Sequence, residues 1–511
     1  MNMIEIIDLE KRFGDFVAVD KLNMKVEKGE IKAIVGENGA GKTTLMNMLF
    51  GMEQPTSGEI LINGKKVHFR SPREAINMGI GMVHQHFKLV PSLTIYENII
   101  LGREIKCKIK GKITVPIINT KNEKDKIQEL IDQYDFKMKA DDRICDLSVG
   151  ERQRVEILKM LYRDASILIL DEPTAVLTPQ EVDELLDNLK ALQSKGKTIL
   201  LITHKLQEVM SVSNSVTVIR KGKLVGNVNT TDTNRQELAR MMVGRDVVLT
   251  VQNNNTNISD EVVYSVKNLV TTNKNGKNVL NNISFNLHKG EILGIAGVEG
   301  NGQSELARVL SGMMCVKEGS ITINGEDITN QWPKCIRQHR IGIIPEDRYA
   351  QGLCRELTIA DNCICGYFER NDVCKHGFLK KKNINQKREK MIEDYSIRVS
   401  DANGCVSELS GGNAQKIIIA REMMSDPDVI IASQPTRGVD IGSIEYIHTK
   451  LIEAAASGKA VLLISSELSE VMSLSNRILV MYKGEFIGEV ERSEYTKEGI
   501  GLMMAGIQPE E

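Results

Sequence analysis

The stretch GEIKAIVGENGAGKTTLMNMLFGM, residues 29–52, decides the reading of this chain. IKAIVG is a short apolar run that reads as a buried strand. Gly36, Glu37, Asn38, Gly39, Ala40, Gly41, Lys42 and Thr43 then follow the pattern G-x-x-x-x-G-K-[ST], and a helical pattern opens with Lys42. A glycine-rich turn in this position lets several backbone N–H groups face one anion, and the helix N-terminus adds positive potential. Lys42 is placed to reach the β and γ phosphates of a nucleotide. Thr43, with Thr44 beside it, is placed to ligate Mg²⁺.

Working outward, the same stretch recurs as GEILGIAGVEGNGQSELARVLSGM from Gly290. LSVGERQRVEILKML from Leu147 recurs from Leu409, and LLITHKLQEVM from Leu200 recurs from Leu462. The offset stays at 261 or 262, so one domain of roughly 250 residues is present twice; solenoid repeats run only about 20–50 residues. The expected division is a first domain over 1–245, a polar, Asn-rich linker over 246–261 and a second domain over 262–511.

Within each half, buried strand patterns such as ASILILDEPT and KTILLITH alternate with helical ones such as PQEVDELLDNLKALQSKG. That alternation predicts an α/β fold with a largely parallel sheet. The middle portions, about 86–160 and 347–422, have little strand character and read as a helical subdomain inserted into each core.

Composition narrows the function classes. The 511 residues carry 41% hydrophobic and 26% charged side chains, ordinary for a globular protein. A net charge of −2 offers no whole-protein basis for nucleic-acid binding. No apolar run reaches a membrane-spanning length, and the N-terminus lacks the apolar core of a secretory signal. Nine cysteines without paired spacing argue for free thiols and a cytosolic setting.

ILILDEPT supplies the second chemical element. Asp171 and Glu172 emerge at the C-terminal end of a buried strand, where ligands bind in open α/β sheets. Asp171 can hold Mg²⁺ through its water shell, and Glu172 can polarise an attacking water.

LSVGERQ and LSGGNAQ resemble the signature sequence of ATP-binding cassette (ABC) ATPases. The order phosphate loop, Gln85, signature, LILDEPT, His204 resembles that family from end to end, twice. The resemblance implies two tandem P-loop NTPase domains of ABC type. Each has a mainly parallel sheet core, a small antiparallel β part and an inserted helical subdomain. It implies ATP and Mg²⁺ as cofactors, with each ATP held between one copy's loop and the other's signature. Phe13 would then stack on adenine. Gln85 would touch Mg²⁺ and the attacking water, and His204 would contact the γ-phosphate and support Glu172.

The second half departs from this pattern at most chemical positions. Gln303 replaces Lys42, Ser433 and Gln434 replace Asp171 and Glu172, Glu346 replaces Gln85, and Ser466 replaces His204. Its signature residues Ser410, Gly411, Gly412 and Asn413 are kept, as is Asp440, whereas the first signature has Val149, and Thr178 matches Asp440. By the resemblance, one composite ATP site is competent: the first loop with the second signature.

A fused pair with a degenerate second half resembles the ATPase subunit of bacterial importers for simple sugars and nucleosides. PEDR at 345–348 and PTRGVD at 435–440 strengthen that resemblance, and VHQHFKLVPSLTIYENIILG from Val83 and IIASQPTRGVDIGSIEYIH from Ile430 look most like the nucleoside-import branch. The implied partners are two multi-span permeases and an extracytoplasmic solute-binding lipoprotein, without nucleic acid. The implied place is peripheral, on the cytoplasmic face of the membrane. A monosaccharide importer and a ribosome-associated tandem ATPase are the alternatives.

Overall fold

The computed structural model describes residues 2–507 apart from 84–87, 103–105, 110–112, 117–119, 135, 175–176, 178, 247–250, 256, 274–275 and 400. The chain divides into two compact units, Met1–Asp246 and Val247–Glu511.

In the first unit a six-stranded sheet has the order Lys223–Asn229, Ser215–Arg220, Ile31–Val35, Thr198–Ile202, Ile167–Asp171, Ile80–Val83. All neighbours are parallel except the first pair. The three central strands are buried along their whole length, as the unbroken apolar runs predict. Alternate side chains serve opposite faces. Ile167 and Ile169 join Leu45, Leu49 and an antiparallel sheet of Phe16–Glu27, Asn2–Phe13, Ser57–Ile62 and Lys65–Val67. Leu168 and Leu170 pack on Ile95, Ile127, Ile131 and Val155 of the helical subdomain. Burying both faces in this way fixes the register, because a slip of one residue would exchange the two faces.

The second unit repeats the plan, with six strands ordered Ile341–Ile344, Val429–Ser433, Ala460–Ser465, Ile292–Ala296, Arg477–Tyr482, Glu485–Glu491. The Asn-rich segment leading into it lies against that unit. Asn253 is buried, donating its backbone N–H to the Ser473 carbonyl and its amide to the Leu474 carbonyl.

The middle portions contain more strand than their sequences suggest. Lys106–Ile109 pairs with Ile113–Pro116, and Cys374–Lys375 with Phe378–Leu379. The second hairpin turns at His376 and Gly377, both at positive φ (50° and 83°), the geometry of a tight two-residue turn. Strands this short leave no alternating pattern to read. Otherwise these portions are helical, with Thr120–Gln133 and Val149–Leu161 in the first unit and Lys381–Asp394 and Gly411–Met424 in the second. Among the described residues, no helix is long and apolar enough to cross a membrane.

Candidate functional site

The first phosphate loop runs from the end of strand Ile31–Val35 to the helix Lys42–Leu49. Its glycines are required by the backbone. A Cβ at Gly36 would stand 2.2 Å from the Ile219 carbonyl oxygen, and one at Gly41, where φ is +102°, 2.5 Å from that of Ala18. The helix has no side-chain cap and no acidic residue in its first turn, so its N–H groups remain available to an anion. Lys42 is buried, and its Nζ donates to the carbonyls of Gly36 (2.7 Å) and Glu37 (3.0 Å). Burial draws its pKa down, while the charges of Glu172, Asp171 and Glu37 pull it back up. Thr43 is exposed beside it.

Asp171 ends its strand 8% exposed. Burial, and then the Glu172 charge, push its carboxyl up to about 6 against the pull of Lys42. An approaching cation would reverse that penalty, and the Thr43 hydroxyl and the Asp171 carboxylate are oxygen donors of the kind Mg²⁺ takes. Glu172 lies in the left-handed region at φ 47°, with its N–H on the Ile202 carbonyl at 2.9 Å. Such a backbone costs on the order of 1–3 kcal/mol and is kept where surrounding structure imposes it. His204 Nδ1 stands 3.1 Å from Glu172 Oε1. Burial raises the Glu172 pKa, but the His204 hydrogen bond and charge, with Lys42 and Lys205, outweigh it and hold the carboxyl below its ordinary value.

The structure thus brings together Lys42, Asp171, Glu172 and His204. Phe13 ends strand Asn2–Phe13, half exposed, with Lys11 Nζ 4.9 Å from its ring centre. Gln85 and Thr178 lie outside the described residues.

In the second signature, Ser410 Oγ caps helix Gly411–Met424 by accepting the Asn413 backbone N–H at 3.5 Å, and it also accepts the Asn413 side-chain amide at 2.9 Å. A Cβ at Gly412 would meet Ser443 Oγ at 2.3 Å and Asp440 Oδ2 at 2.5 Å. Asp440 itself caps helix Ile441–Ala456 by accepting the Ser443 N–H at 2.8 Å. The Gly411 carbonyl accepts from Arg348 at 3.0 Å.

Two carboxylates were not foreseen. Glu181 accepts the Gly150 N–H (3.2 Å) and the Ser148 hydroxyl (3.4 Å), putting a negative charge on the N-terminus of the first signature helix. The matching residue in the second copy is Ser443, and that contrast was visible in the repeat. Glu208, buried, accepts from Thr174 (2.9 Å) and Thr203 (3.3 Å), tying the turn after Glu172 to the turn before His204. Its counterpart Glu470 accepts from Thr436 at 2.8 Å. Retention of this glutamate in both copies was the available signal.

In the second unit Gln434 repeats the Glu172 backbone, with φ 46° and its N–H on the Ile464 carbonyl at 2.7 Å. Its Oε1 accepts from the Ser466 hydroxyl at 3.2 Å. The frame survives without the carboxylate–imidazole pair.

A family model described as ABC transporter matches residues 19–175 and 280–437. The chain is 46% identical over 505 residues to the nucleoside import ATP-binding protein NupA of Lactococcus lactis subsp. cremoris, covering 99% of this chain and 98% of that one. It is 45% identical over 504 residues to the guanosine import ATP-binding protein NupO of Bacillus subtilis, covering 99% and 97%. Among solved structures, the archaeal ribosome recycling factor aABCE1, in complex with ribosomal stalk protein aP1, matches 98% of this chain and 92% of its own. The TM-score is 0.61 at 18% identity, a likeness of fold alone.

Proposed function

The chain belongs to the ABC transporter family and is an ATPase, and we propose that the ATP it hydrolyses drives nucleoside import through two multi-span permeases fed by an extracytoplasmic solute-binding protein. The observation behind this reading is the gathering of Lys42, Asp171, Glu172 and His204 beyond the C-terminal ends of the three central strands, in a chain alike along 99% of its length to a nucleoside import ATP-binding protein.

In this reading Lys42 and the loop N–H groups hold the β and γ phosphates, and Phe13 stacks on adenine. Thr43 and Asp171, with Gln85, hold Mg²⁺, which when bound screens the phosphate charge. Glu172, kept ionised beside His204 and Lys42, accepts a hydrogen bond from water and aligns it with the γ-phosphorus. The new oxygen–phosphorus bond forms as the bond to the bridging oxygen breaks, leaving ADP and phosphate. With Nδ1 turned to Glu172, the His204 ring leaves Nε2 for the γ-phosphate. Ser410, Gly411, Gly412, Asn413 and Asp440 belong to this same site in the proposal.

The permease would dock on the first unit in a groove of about 180 Å³ lined by Phe50, Ile76, Met82, Lys88, Glu156 and Arg163. Apolar walls with a charged rim suit an amphipathic helix. At the position matching Ile76 the second unit has Arg337, which instead forms a buried ion pair with Glu422 joined by Tyr367. Association with the cytoplasmic face of the membrane follows from such docking.

Uptake of labelled nucleosides and of ribose, galactose and xylose in a deletion strain, with and without the restored gene, tests the reading. Nucleoside uptake that returns only with the gene supports it. Restored sugar uptake alone, or recovery of the protein with ribosomes and no uptake defect, refutes it.

A further inference from the structure

The second phosphate loop keeps the shape of the first. It ends in Gly300 (φ +91°) and Gly302 (φ +112°), then opens the eight-residue helix Gln303–Leu310 without a side-chain cap. The residue in the lysine position, Gln303, is 4% exposed, and neither its Oε1 nor its Nε2 has a hydrogen-bond partner. Its amide is tucked beneath the loop, since a Cβ at Gly297 would fall 2.3 Å from Nε2. Buried amides are ordinarily satisfied, so this one points to a polar group that completes the loop.

The residues around it do not fit a divalent cation. Ser433 replaces the carboxylate of Asp171 and is itself buried. Ser304, in the position of Thr43, donates its hydroxyl to Glu346 Oε2 at 2.6 Å. The other oxygen of Glu346 takes Arg437 Nη1 at 2.6 Å, and Arg437 Nη2 reaches Glu299 of the loop at 3.2 Å. Ser304, Glu346 and Glu299 would by themselves be an oxygen set of the kind Mg²⁺ takes. A guanidinium stands among them instead. It satisfies the carboxylates and repels a second positive charge. In the first copy the matching residue is Ala175, so the cation has moved from the lysine of the loop to the segment after the strand.

We infer that Arg437 takes the place of both the loop lysine and the divalent cation, so that the second loop holds an adenine nucleotide without metal. Its planar fork has donors beyond those used on Glu346 and Glu299, and it suits a phosphate oxygen pair. Glu299, at the solvent edge, can turn away as the phosphates arrive. The backbone N–H groups of the loop and the Gln303 amide supply the remaining contacts.

The inference rests on the ATP-binding reading above, and one experiment separates the two. The intact protein is photolabelled with 8-azido-ATP in Mg²⁺ or in EDTA, and labelled peptides are assigned to residues 1–245 or 262–511. Labelling of the first half in Mg²⁺ tests the general reading. For the second half, labelling should differ less than twofold between Mg²⁺ and EDTA. Arg437→Ala frees two carboxylates and should make it at least tenfold dependent on Mg²⁺, while Arg437→Lys, which keeps the charge, should preserve metal independence. Wild-type labelling of the second half that vanishes in EDTA, its absence in both media, or Arg437→Ala labelling indifferent to Mg²⁺ would each overturn the inference.

Discussion

Replacing Glu172 with glutamine removes one charge and little else, and the molecule itself carries the control. Gln434 occupies the matching place at φ 46° against 47°, with its N–H on the same carbonyl of the neighbouring strand. The Glu172→Gln chain should therefore fold normally and bind ATP. The charge near the phosphates changes in a favourable direction for binding: Glu172 is the second cause, after burial, that raises the Asp171 carboxyl to about 6, so Asp171 should ionise at lower pH in the variant. Turnover should nevertheless collapse. The carboxylate that His204 holds at 3.1 Å is the group proposed to align water, and an amide cannot accept its proton. Loss of one preorganised catalytic group costs about 3–4 kcal/mol, a hundred- to a thousandfold in rate. Nucleotide fluorescence titration and phosphate release on the same preparation separate the two effects. Weakened ATP binding with near-normal turnover of bound nucleotide would refute the assignment.

Lys42→Ala is expected to abolish ATPase activity while Gln303→Ala leaves most of it; equal loss from both, with circular dichroism unchanged, would defeat the single-site reading. Ser410→Arg should be nearly as harmful to phosphate release as Lys42→Ala. Ser148→Arg should harm less, since Glu181 already lies 3.4 Å from the Ser148 hydroxyl and can pair with the new cation. Glu422, fully buried between Arg337 and Arg421, offers a stability test. Burial raises its pKa, but the two arginines outweigh that and hold it below the ordinary 4.5. Its stabilisation is thus present above about pH 4.5 and lost as pH falls through the lowered value. Glu422→Gln should cost about 3–5 kcal/mol near neutrality, read by urea unfolding, and should flatten the acid limb of the melting curve.

Much of this protein follows from local chemistry. The first loop is legible because strand, glycine turn and helix are contiguous and each residue type has a backbone or phosphate reason to be there. Gly36 and Gly41 are glycine because backbone carbonyls stand within 2.5 Å of any Cβ. The doubling, the parallel sheets and the loss of charge at Gln303, Ser433 and Gln434 were equally readable, since a repeat aligns itself. Tertiary structure decided what distant segments do to one another. Only folding brings His204 to Glu172, Glu181 to the start of the first signature helix, and Arg437 between Glu299 and Glu346. These contacts join residues 31 to 138 positions apart, and their partners are chosen by packing rather than by spacing. The Asp171 carboxyl, near 6, makes the same point. Its identity was in the sequence, but burial and the neighbouring charge that shift it exist only once the sheet has closed around it.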